Sequence, residues 1–146
     1  MLQVPIQRLD PDPELPVPSR IRAGDAAADL PSRVNTVLGP GDRELIPTGF
    51  AVAIPPGACG LLLPRSGLAL KHGITLVNAP GLIDSGYRGE LQVMLLNTSR
   101  QTVSIQRGQR IAQLLVLAVP DLRLTEVAEL PPSHDGRDQE GWGSSG

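Results

Sequence analysis

Glycine and proline divide this chain into short segments, and no other feature of the sequence limits its fold as strongly. Sixteen glycines and fifteen prolines are spread over 146 residues. Between them apolar residues tend to alternate, as in Phe50-Ala51-Val52-Ala53-Ile54, and rarely recur at helical spacing. Turn signals at Gly39-Pro40-Gly41-Asp42, Asn78-Ala79-Pro80-Gly81, Ser85-Gly86 and Arg107-Gly108 recur at intervals typical of sandwiches and barrels. The sequence therefore predicts an all-β sandwich.

Three further segments predict secondary structure. Residues 90–96 and 111–117 are typical of core strands, and their partly continuous apolar runs predict burial on both faces. A short helix is predicted over 67–72, with Ser66 as its N-cap and Gly73 as its C-terminal stop.

The composition bounds the number of domains and excludes several classes of function. The length fits one domain, which we expect over 1–130, followed by a mobile, polar and glycine-rich segment over 131–146. A net charge of −2 argues against binding to polymeric nucleic acid. Cys59 is the only cysteine, the first ten residues lack a signal peptide's apolar run, and no segment is apolar enough to cross a membrane. We therefore expect a cytoplasmic protein without membrane partners.

The core is expected to be short of large side chains. The chain has one Phe, one Tyr and one Trp, whereas each buried aromatic side chain usually contributes about 150–250 Å². A small domain of this kind often buries further surface against neighbouring subunits, so oligomerisation is a hypothesis at this point. His72 and His134 are far apart, which predicts neither a transition-metal site nor a Ser/His/Asp triad.

Arg65-Ser66 precedes the predicted helix and is a candidate phosphate-binding element. Free backbone N–H groups at a helix start, together with a cation and a hydroxyl, favour an anion. An equally good interpretation of these residues alone is that Ser66 only caps the helix and that Arg65 is solvated.

Asp84 lies in a second candidate segment, Gly81-Leu82-Ile83-Asp84-Ser85-Gly86-Tyr87-Arg88-Gly89, which groups a carboxylate, a phenol and a cation in a tight turn. A carboxylate held beside a water molecule can accept its proton. Taken alone, however, the segment favours ordinary turn chemistry for Asp84.

Other polar residues admit both structural and functional interpretations. Gln113 interrupts an apolar strand and needs a hydrogen-bond partner if it is buried. Arg107 and Gln109, which precede it, are further possible polar anchors. Asp25 and Asp29 could face a cation, but their spacing favours solvated loop residues. The C-terminal segment carries a cation, hydroxyls and one aromatic ring, and with these it could close over a nucleotide. Disorder without function is the simpler interpretation.

In order along the chain, these segments resemble the five motifs of the homotrimeric dUTPase (deoxyuridine triphosphate nucleotidohydrolase) family. The resemblance runs from about Ala23 to the last residue, and the matching segments are 25–30, 64–69, 78–90, 107–114 and 137–146. Two departures stand out. Ala27 replaces a usual glycine in the first motif, and Asp138 and Glu140 add negative charge to the fifth, which predicts weaker or slower closure of the C-terminal segment.

The resemblance implies a jelly-roll-like subunit in a trimer whose three active sites are each built from all three chains. It implies hydrolysis of dUTP to dUMP and pyrophosphate, which keeps uracil out of DNA and supplies dUMP. Asp84 would deprotonate the water that attacks the α-phosphorus, and Tyr87 would pack under the deoxyribose and exclude a 2′-hydroxyl. Mg²⁺ would be held by phosphates and waters, with Asp29 bonding to those waters.

The resemblance also implies which residues form the site. The implied catalytic residues are Asp84, Gln113, Ser66 and Arg65. The implied substrate-binding residues are Arg65, Ser66, Gly67, Asn78, Gly81, Ile83, Asp84, Tyr87, Met94, Gln113, Arg137, Trp142, Gly143, Ser144 and Ser145. The last five belong to the C-terminal segment of a third subunit, in which Trp142 would stack on uracil.

Two alternatives compete with this interpretation. A dCTP deaminase, alone or bifunctional, has a similar fold and a similar Arg-Ser element, but its deamination needs a Glu where Met94 stands here, and a thioether cannot carry protons. A non-catalytic nucleotide-binding or protein-binding trimer could share the scaffold, since fold alone does not fix function. The joint presence of Asp84, Tyr87, Arg65, Ser66 and Gln113 argues against a purely binding role.

Overall fold

The computed structural model describes residues 2–134, and in that range it contains ten strands and one helix. The elements are β1 (Ile6–Arg8), β2 (Ala28–Pro31), β3 (Thr36–Leu38), β4 (Arg43–Val52), β5 (Ala58–Leu63), α1 (Ser66–His72), β6 (Ile74–Leu76), β7 (Gly81–Ile83), β8 (Glu90–Asn97), β9 (Val103–Ile105) and β10 (Arg110–Ala118). The all-β prediction is confirmed.

The strands form two four-stranded sheets and one two-stranded sheet. Their orders are β1-β4-β8-β6, β2-β10-β5-β7 and β3-β9, and all the pairs are antiparallel. Side chains from all three sheets meet in one aliphatic core, which includes the fully buried Leu30, Leu38, Val93, Leu95 and Ile105. Aliphatic side chains thus supply nearly all of the packing that holds the sandwich together, as the composition predicts.

Strand β8 corrects one prediction. Its residues alternate, with Leu91, Val93 and Leu95 buried and Gln92 exposed, while Met94 is only half-buried. The predicted burial on both faces is therefore wrong for this strand, because no second layer within residues 2–134 covers the Met94 face. The alternating segment 50–54 lies only partly in a strand, since β4 begins at Arg43 and ends at Val52.

A bulge in β4 shapes the surroundings of the later hairpin. The pairing of β4 with β8 changes register between Pro47 and Ala51. Gly49 lies in this bulge with φ +81°, and a Cβ there would stand 2.6 Å from a methyl group of Leu15. Glycine is thus required here by both backbone conformation and space.

The helix has the predicted end but a different beginning. Gly73 adopts the left-handed conformation with φ 65°, and its N–H donates to carbonyl groups of the last turn. The N-cap position is Arg65, not Ser66, and no side chain makes a capping hydrogen bond. Ser66 is the first helical residue, so the prediction that it caps α1 is wrong and its exposed hydroxyl is not used for capping.

The last strand ends at Ala118, and residues 119–134 contain neither helix nor strand. Within 2–134, no helix is long and apolar enough to span a membrane.

Candidate active site

Two arginines and a glutamine surround a nearly buried carboxylate at one end of the second sheet. The Nε of Arg65 donates to Oδ1 of Asp29 at 3.0 Å, and an Nη of Arg110 donates to Oδ2 at 3.3 Å. The Nε2 of Gln113 also reaches Oδ1 at 3.3 Å. The side chain of Asp29 is only 9% exposed. We call these four residues the Asp29 cluster.

Strand register explains why these residues meet. In β10, Gln113 pairs with Asp29 of β2 on one side and with Leu63 of β5 on the other. Arg65 follows β5 by two residues, and its guanidinium also donates to the carbonyl of Arg110 at 3.2 Å. Three neighbouring strands therefore bring together residues from three separate motifs.

The Asp29 cluster has one carboxylate for two guanidinium groups, so a net positive charge remains. Both guanidinium groups are partly exposed, at 25% for Arg65 and 49% for Arg110. The surplus charge favours an anion such as a phosphate chain. The interpretation of Asp29 as a solvated loop residue is wrong. Asp25 is a loop residue, and its carboxylate accepts a hydrogen bond from the backbone N–H of Arg22 in the same loop.

The hairpin after β7 holds Asp84 and Tyr87 in fixed relation. The backbone N–H of Tyr87 donates to the carbonyl of Asp84 at 3.1 Å, which closes the turn. The hydroxyl of Tyr87 donates to the carbonyl of Glu90 at 2.9 Å. Asp84 is exposed, and within residues 2–134 nothing donates a hydrogen bond to its carboxylate. That carboxylate is free to bind water.

The other predicted pocket residues lie along the same hairpin. Gly81 is buried, and a Cβ there would stand 3.3 Å from the amide nitrogen of Asn78, so the small residue lets Asn78 lie over β7. Asn78 itself is exposed, and Ile83 is half-buried. Met94 lies beside them on β8, and its carbonyl accepts the N–H of Val77 at 3.0 Å.

The hairpin carboxylate and the Asp29 cluster lie at opposite ends of β5. Ile83 pairs with Gly60 near the start of β5, and Asp84 continues in that direction. Arg65 lies beyond the other end of the strand. Five or six strand residues separate the level of Asp84 from that of Arg65, a distance of about 15–20 Å. One chain therefore does not place Asp84 and Arg65 in one site.

Ser66 and Gly67 are exposed at the start of α1. Arg137, Trp142, Gly143, Ser144 and Ser145 lie outside the described residues. Among residues 2–134, no group of three or more His, Cys, Asp or Glu side chains could hold a metal ion.

Arg107 belongs to a separate ion-pair cluster. Its guanidinium pairs with Asp10 at 2.8 Å and with Asp12 at 3.0 Å, and it also donates to the carbonyl of Arg33. Hydrogen bonds from Arg107 hold the pKa of Asp10 far below its usual value, with further contributions from the Asp12 N–H and from Arg33. The same ion pairs raise the pKa of Arg107. Arg107 and Gln109, which accepts the N–H of Gln106, are structural here.

The lowered pKa of Asp10 predicts a pH-dependent contribution to stability. Its folded pKa lies below the unfolded one, so the contribution is complete above about pH 4–5 and is lost as pH falls through the folded pKa. We expect Asp10→Asn to lower the melting temperature by several degrees at pH 7 and by a smaller amount at pH 3, where the unfolded chain already binds a proton at this carboxyl but the folded chain still does not. Thermal denaturation at both pH values measures this. The control is Asp121→Asn, at an exposed position, and an equal loss at both pH values would contradict the prediction.

The model of the dUTPase family matches residues 13–146. The chain belongs to the dUTPase family.

Two named relatives match nearly the whole length of this chain. The deoxyuridine 5′-triphosphate nucleotidohydrolase of Mycolicibacterium gilvum is 52% identical, over 97% of this chain and 93% of the relative. The enzyme of the same name from Thermobifida fusca is 49% identical, over 99% of this chain and 79% of the relative. Family membership thus rests on the body and the C-terminal motif together.

Solved dUTPase structures share the fold. A mutant dUTPase of Staphylococcus bacteriophage 80alpha, in complex with dUpNHpp, has a TM-score of 0.89 and 28% identity, covering 100% of this chain and 99% of that one. A mutant dUTPase of phage phi11 of S. aureus, which reveals the coordination of a structural Mg(II) ion, has a TM-score of 0.80 and 26% identity. It covers 88% of this chain and 99% of its own.

Sequence reasoning missed three residues that the structure ties to the predicted dUTPase site. Arg110 completes the Asp29 cluster, and the fourth motif that contains it could have indicated this. Arg33 and Glu90 stand behind the hairpin. Glu90 is the last residue of the third motif, which could have indicated it, whereas no local signal marks Arg33, because its contact with Glu90 spans 57 residues of sequence.

Proposed function

We propose that this protein hydrolyses dUTP to dUMP and pyrophosphate by attack of water on the α-phosphorus. The observation that carries the proposal is the unpaired, exposed carboxylate of Asp84, held in the turn beside Tyr87 in a chain of the dUTPase family. Asp84 accepts the proton of the attacking water and orients its lone pair toward phosphorus. The bond that breaks joins the α-phosphorus to the bridging oxygen, and the pyrophosphate leaves with that oxygen.

The hairpin recognises the nucleoside part of the substrate. Asn78 and backbone groups between Gly81 and Ile83 contact the edge of uracil, and Met94 packs beside the pocket. Tyr87 lies beneath the sugar, where a 2′-hydroxyl would collide with its ring. Glycine at position 81 supports this role, since a Cβ there would stand 3.3 Å from the Asn78 amide nitrogen and crowd it.

Arg65, Ser66, Gly67 and Gln113 bind the phosphate chain. The surplus positive charge of the Asp29 cluster supports this role, and so does the free hydroxyl of Ser66. As negative charge shifts onto the leaving pyrophosphate, Arg65 and Gln113 stabilise it by hydrogen bonds that are in place before the reaction begins.

Mg²⁺ fits this site only as an ion carried by the triphosphate. Residues 2–134 offer no set of three metal-ligating side chains, so the phosphates and waters must supply most ligands. Asp29 keeps acceptor capacity beyond its hydrogen bonds to Arg65, Arg110 and Gln113, and it can therefore accept hydrogen bonds from metal-bound water. When bound, the ion neutralises part of the phosphate charge.

The active unit is a homotrimer in which each site combines different chains. Two observations support this. First, Asp84 and Arg65 lie at opposite ends of β5, so a complete site needs a second chain. Second, exposed apolar side chains need cover, as on the outer face of the first sheet around Leu45 and in the segment containing Leu122, Leu124 and Leu130.

The C-terminal segment over 131–146 acts as a lid on a site formed by other subunits, with residues 1–130 as the β domain. In the closed state Trp142 stacks on uracil, and Gly143 leaves room for the chain to approach. Arg137, Ser144 and Ser145 bind phosphates. The protein works in the cytoplasm, where a single cysteine remains reduced.

Pyrophosphate release from a panel of nucleotides tests the reaction. We expect purified protein with Mg²⁺ to act on dUTP at least about a hundredfold faster than on dTTP, UTP or dCTP, as expected for a site that reads polar groups and excludes a hydroxyl. Omitting Mg²⁺ and adding a chelator should suppress turnover. Ammonia release from dCTP should be absent, because Met94 replaces the proton-carrying residue of a deaminase. Steady conversion of dCTP would favour the deaminase alternative, and no turnover of any nucleotide would favour a binding protein.

A further inference from the structure

We propose that Arg33 and Glu90 form an anchor that fixes the ring of Tyr87 and thereby sets how strongly the site rejects ribonucleotides. The proposal rests on the proposed function, because it assigns to Tyr87 the exclusion of the 2′-hydroxyl. Arg33 and Glu90 are positioning residues, since they act through Tyr87 and not on the substrate.

The ring of Tyr87 is held by its own hairpin. Its hydroxyl donates to the carbonyl of Glu90 at 2.9 Å. The ring also lies against Gly89, because a Cβ there would stand 2.5 Å from the hydroxyl oxygen and 2.7 Å from Cζ. Tyr87 is still 43% exposed, so contacts within the hairpin leave much of the ring uncovered. Its position therefore depends on how firmly Glu90 is held.

The side chain of Glu90 is tied to the bulge in β4. The N–H of Gly49, which the bulge removes from the regular ladder, donates to Oε1 of Glu90 at 2.7 Å. An Nη of Arg33 donates to the same carboxylate at 3.3 Å and 3.4 Å. The Glu90 side chain is 19% exposed, so this carboxylate is largely removed from water and depends on these partners.

Arg33 is itself fixed from behind. Its Nε pairs at 2.8 Å with Asp10, whose side chain is only 4% exposed, and its backbone N–H donates to the carbonyl of Pro47 at 2.8 Å. Asp10 is shared with Arg107, so the anchor is continuous with a network that joins residues 97 apart in sequence. Arg107, Asp10, Arg33 and Glu90 are thus each bonded to the next. Tyr87, bonded to Glu90, is the exposed end of this series.

Exclusion of the 2′-hydroxyl requires that the Tyr87 ring be held rigidly. A yielding apolar wall rejects an added hydroxyl only weakly, since the ring can shift by a fraction of an ångström. A ring whose hydroxyl, backbone and supporting carboxylate are all bonded cannot shift without breaking hydrogen bonds. Loosening the anchor should therefore admit UTP more than it harms dUTP.

Arg33→Met and Glu90→Gln test the anchor. Arg33→Met keeps side-chain length but removes the ion pairs to both Glu90 and Asp10, and Glu90→Gln keeps an acceptor for the Gly49 N–H. We expect the ratio of kcat/KM for UTP to kcat/KM for dUTP to rise about tenfold in each, as for the loss of one charge-assisted hydrogen bond. The kcat for dUTP should change much less. If Arg33→Met does not fold, Glu90→Gln alone tests the anchor.

Asp12→Asn is the matched control. It removes an ion pair to Arg107 from the same network, but Asp12 contacts neither Arg33 nor Glu90. The ratio should stay unchanged in this variant. Tyr87 is the only tyrosine, so its ring NMR signals can be followed without ambiguity, and they should shift or broaden in the anchor variants but not in the control.

Two outcomes would overturn the anchor. One is a folded Arg33→Met or Glu90→Gln protein with the parent UTP/dUTP ratio and unchanged Tyr87 signals. The other is an equal rise in the ratio for Asp12→Asn, which would indicate general loosening. If the parent protein does not hydrolyse dUTP at all, the proposed function fails first, so the two failures are distinguishable.

Discussion

Asp84→Asn is expected to bind dUTP with nearly unchanged affinity and to release pyrophosphate at least about a hundredfold more slowly. The amide has almost the same shape as the carboxylate but cannot accept a proton from water. The exposed carboxylate accepts no hydrogen bond within residues 2–134, so its replacement should leave the hairpin intact. Calorimetric titration with dUTP and a pyrophosphate assay measure the two quantities separately.

The control for this experiment is Asp121→Asn, the same chemical change at an exposed position after β10. It should retain full activity. Near-normal turnover in Asp84→Asn would falsify the assignment of Asp84 as the general base. Loss of both binding and turnover would instead assign Asp84 to substrate recognition.

Deletion of residues 137–146 is expected to leave a folded trimer whose turnover falls by about two orders of magnitude or more, as when a closing lid and its phosphate ligands are lost. The deletion removes the proposed stacking ring and the proposed phosphate contacts, and it retains all ten strands found within residues 2–134. Sedimentation and thermal denaturation check assembly and folding, and the pyrophosphate assay checks turnover. Near-normal activity would exclude the segment from the mechanism.

Combining the two defective chains tests whether the sites are shared. The Asp84→Asn chain keeps its C-terminal segment, and the shortened chain keeps its Asp84. If each site takes these parts from different chains, trimers formed by co-expressing the two chains should recover a substantial fraction of parental activity. Sites built within one chain would give mixed trimers no more active than their components. Two differently tagged copies of the Asp84→Asn chain form the matched control.

Local features of this protein were predictable because neighbouring residues determine them. Glycine and proline impose turns through their own backbone preferences, so the β-rich fold and the helix stop at Gly73 followed from sequence. The grouping of Asp84 and Tyr87 was likewise local. Ser66 shows the limit, since a serine before a helix suits both a cap and the first helical position, and only the backbone conformation of Arg65 decides between them.

The partners of charged side chains were decided by the tertiary structure. Arg65 reaches Asp29 across 36 residues, Arg33 reaches Glu90 across 57, and Arg107 reaches Asp10 across 97. Strand order and register set these contacts, since a slip of one residue would turn strand residues such as Asp29 and Glu90 to the other face of their sheets. Sequence alone indicates which chemical groups are available and which turns present them. Only the assembled sheets decided that Asp29 lies between two arginines and that Asp84 and Arg65 stand at opposite ends of β5, because those relations depend on contacts between distant strands.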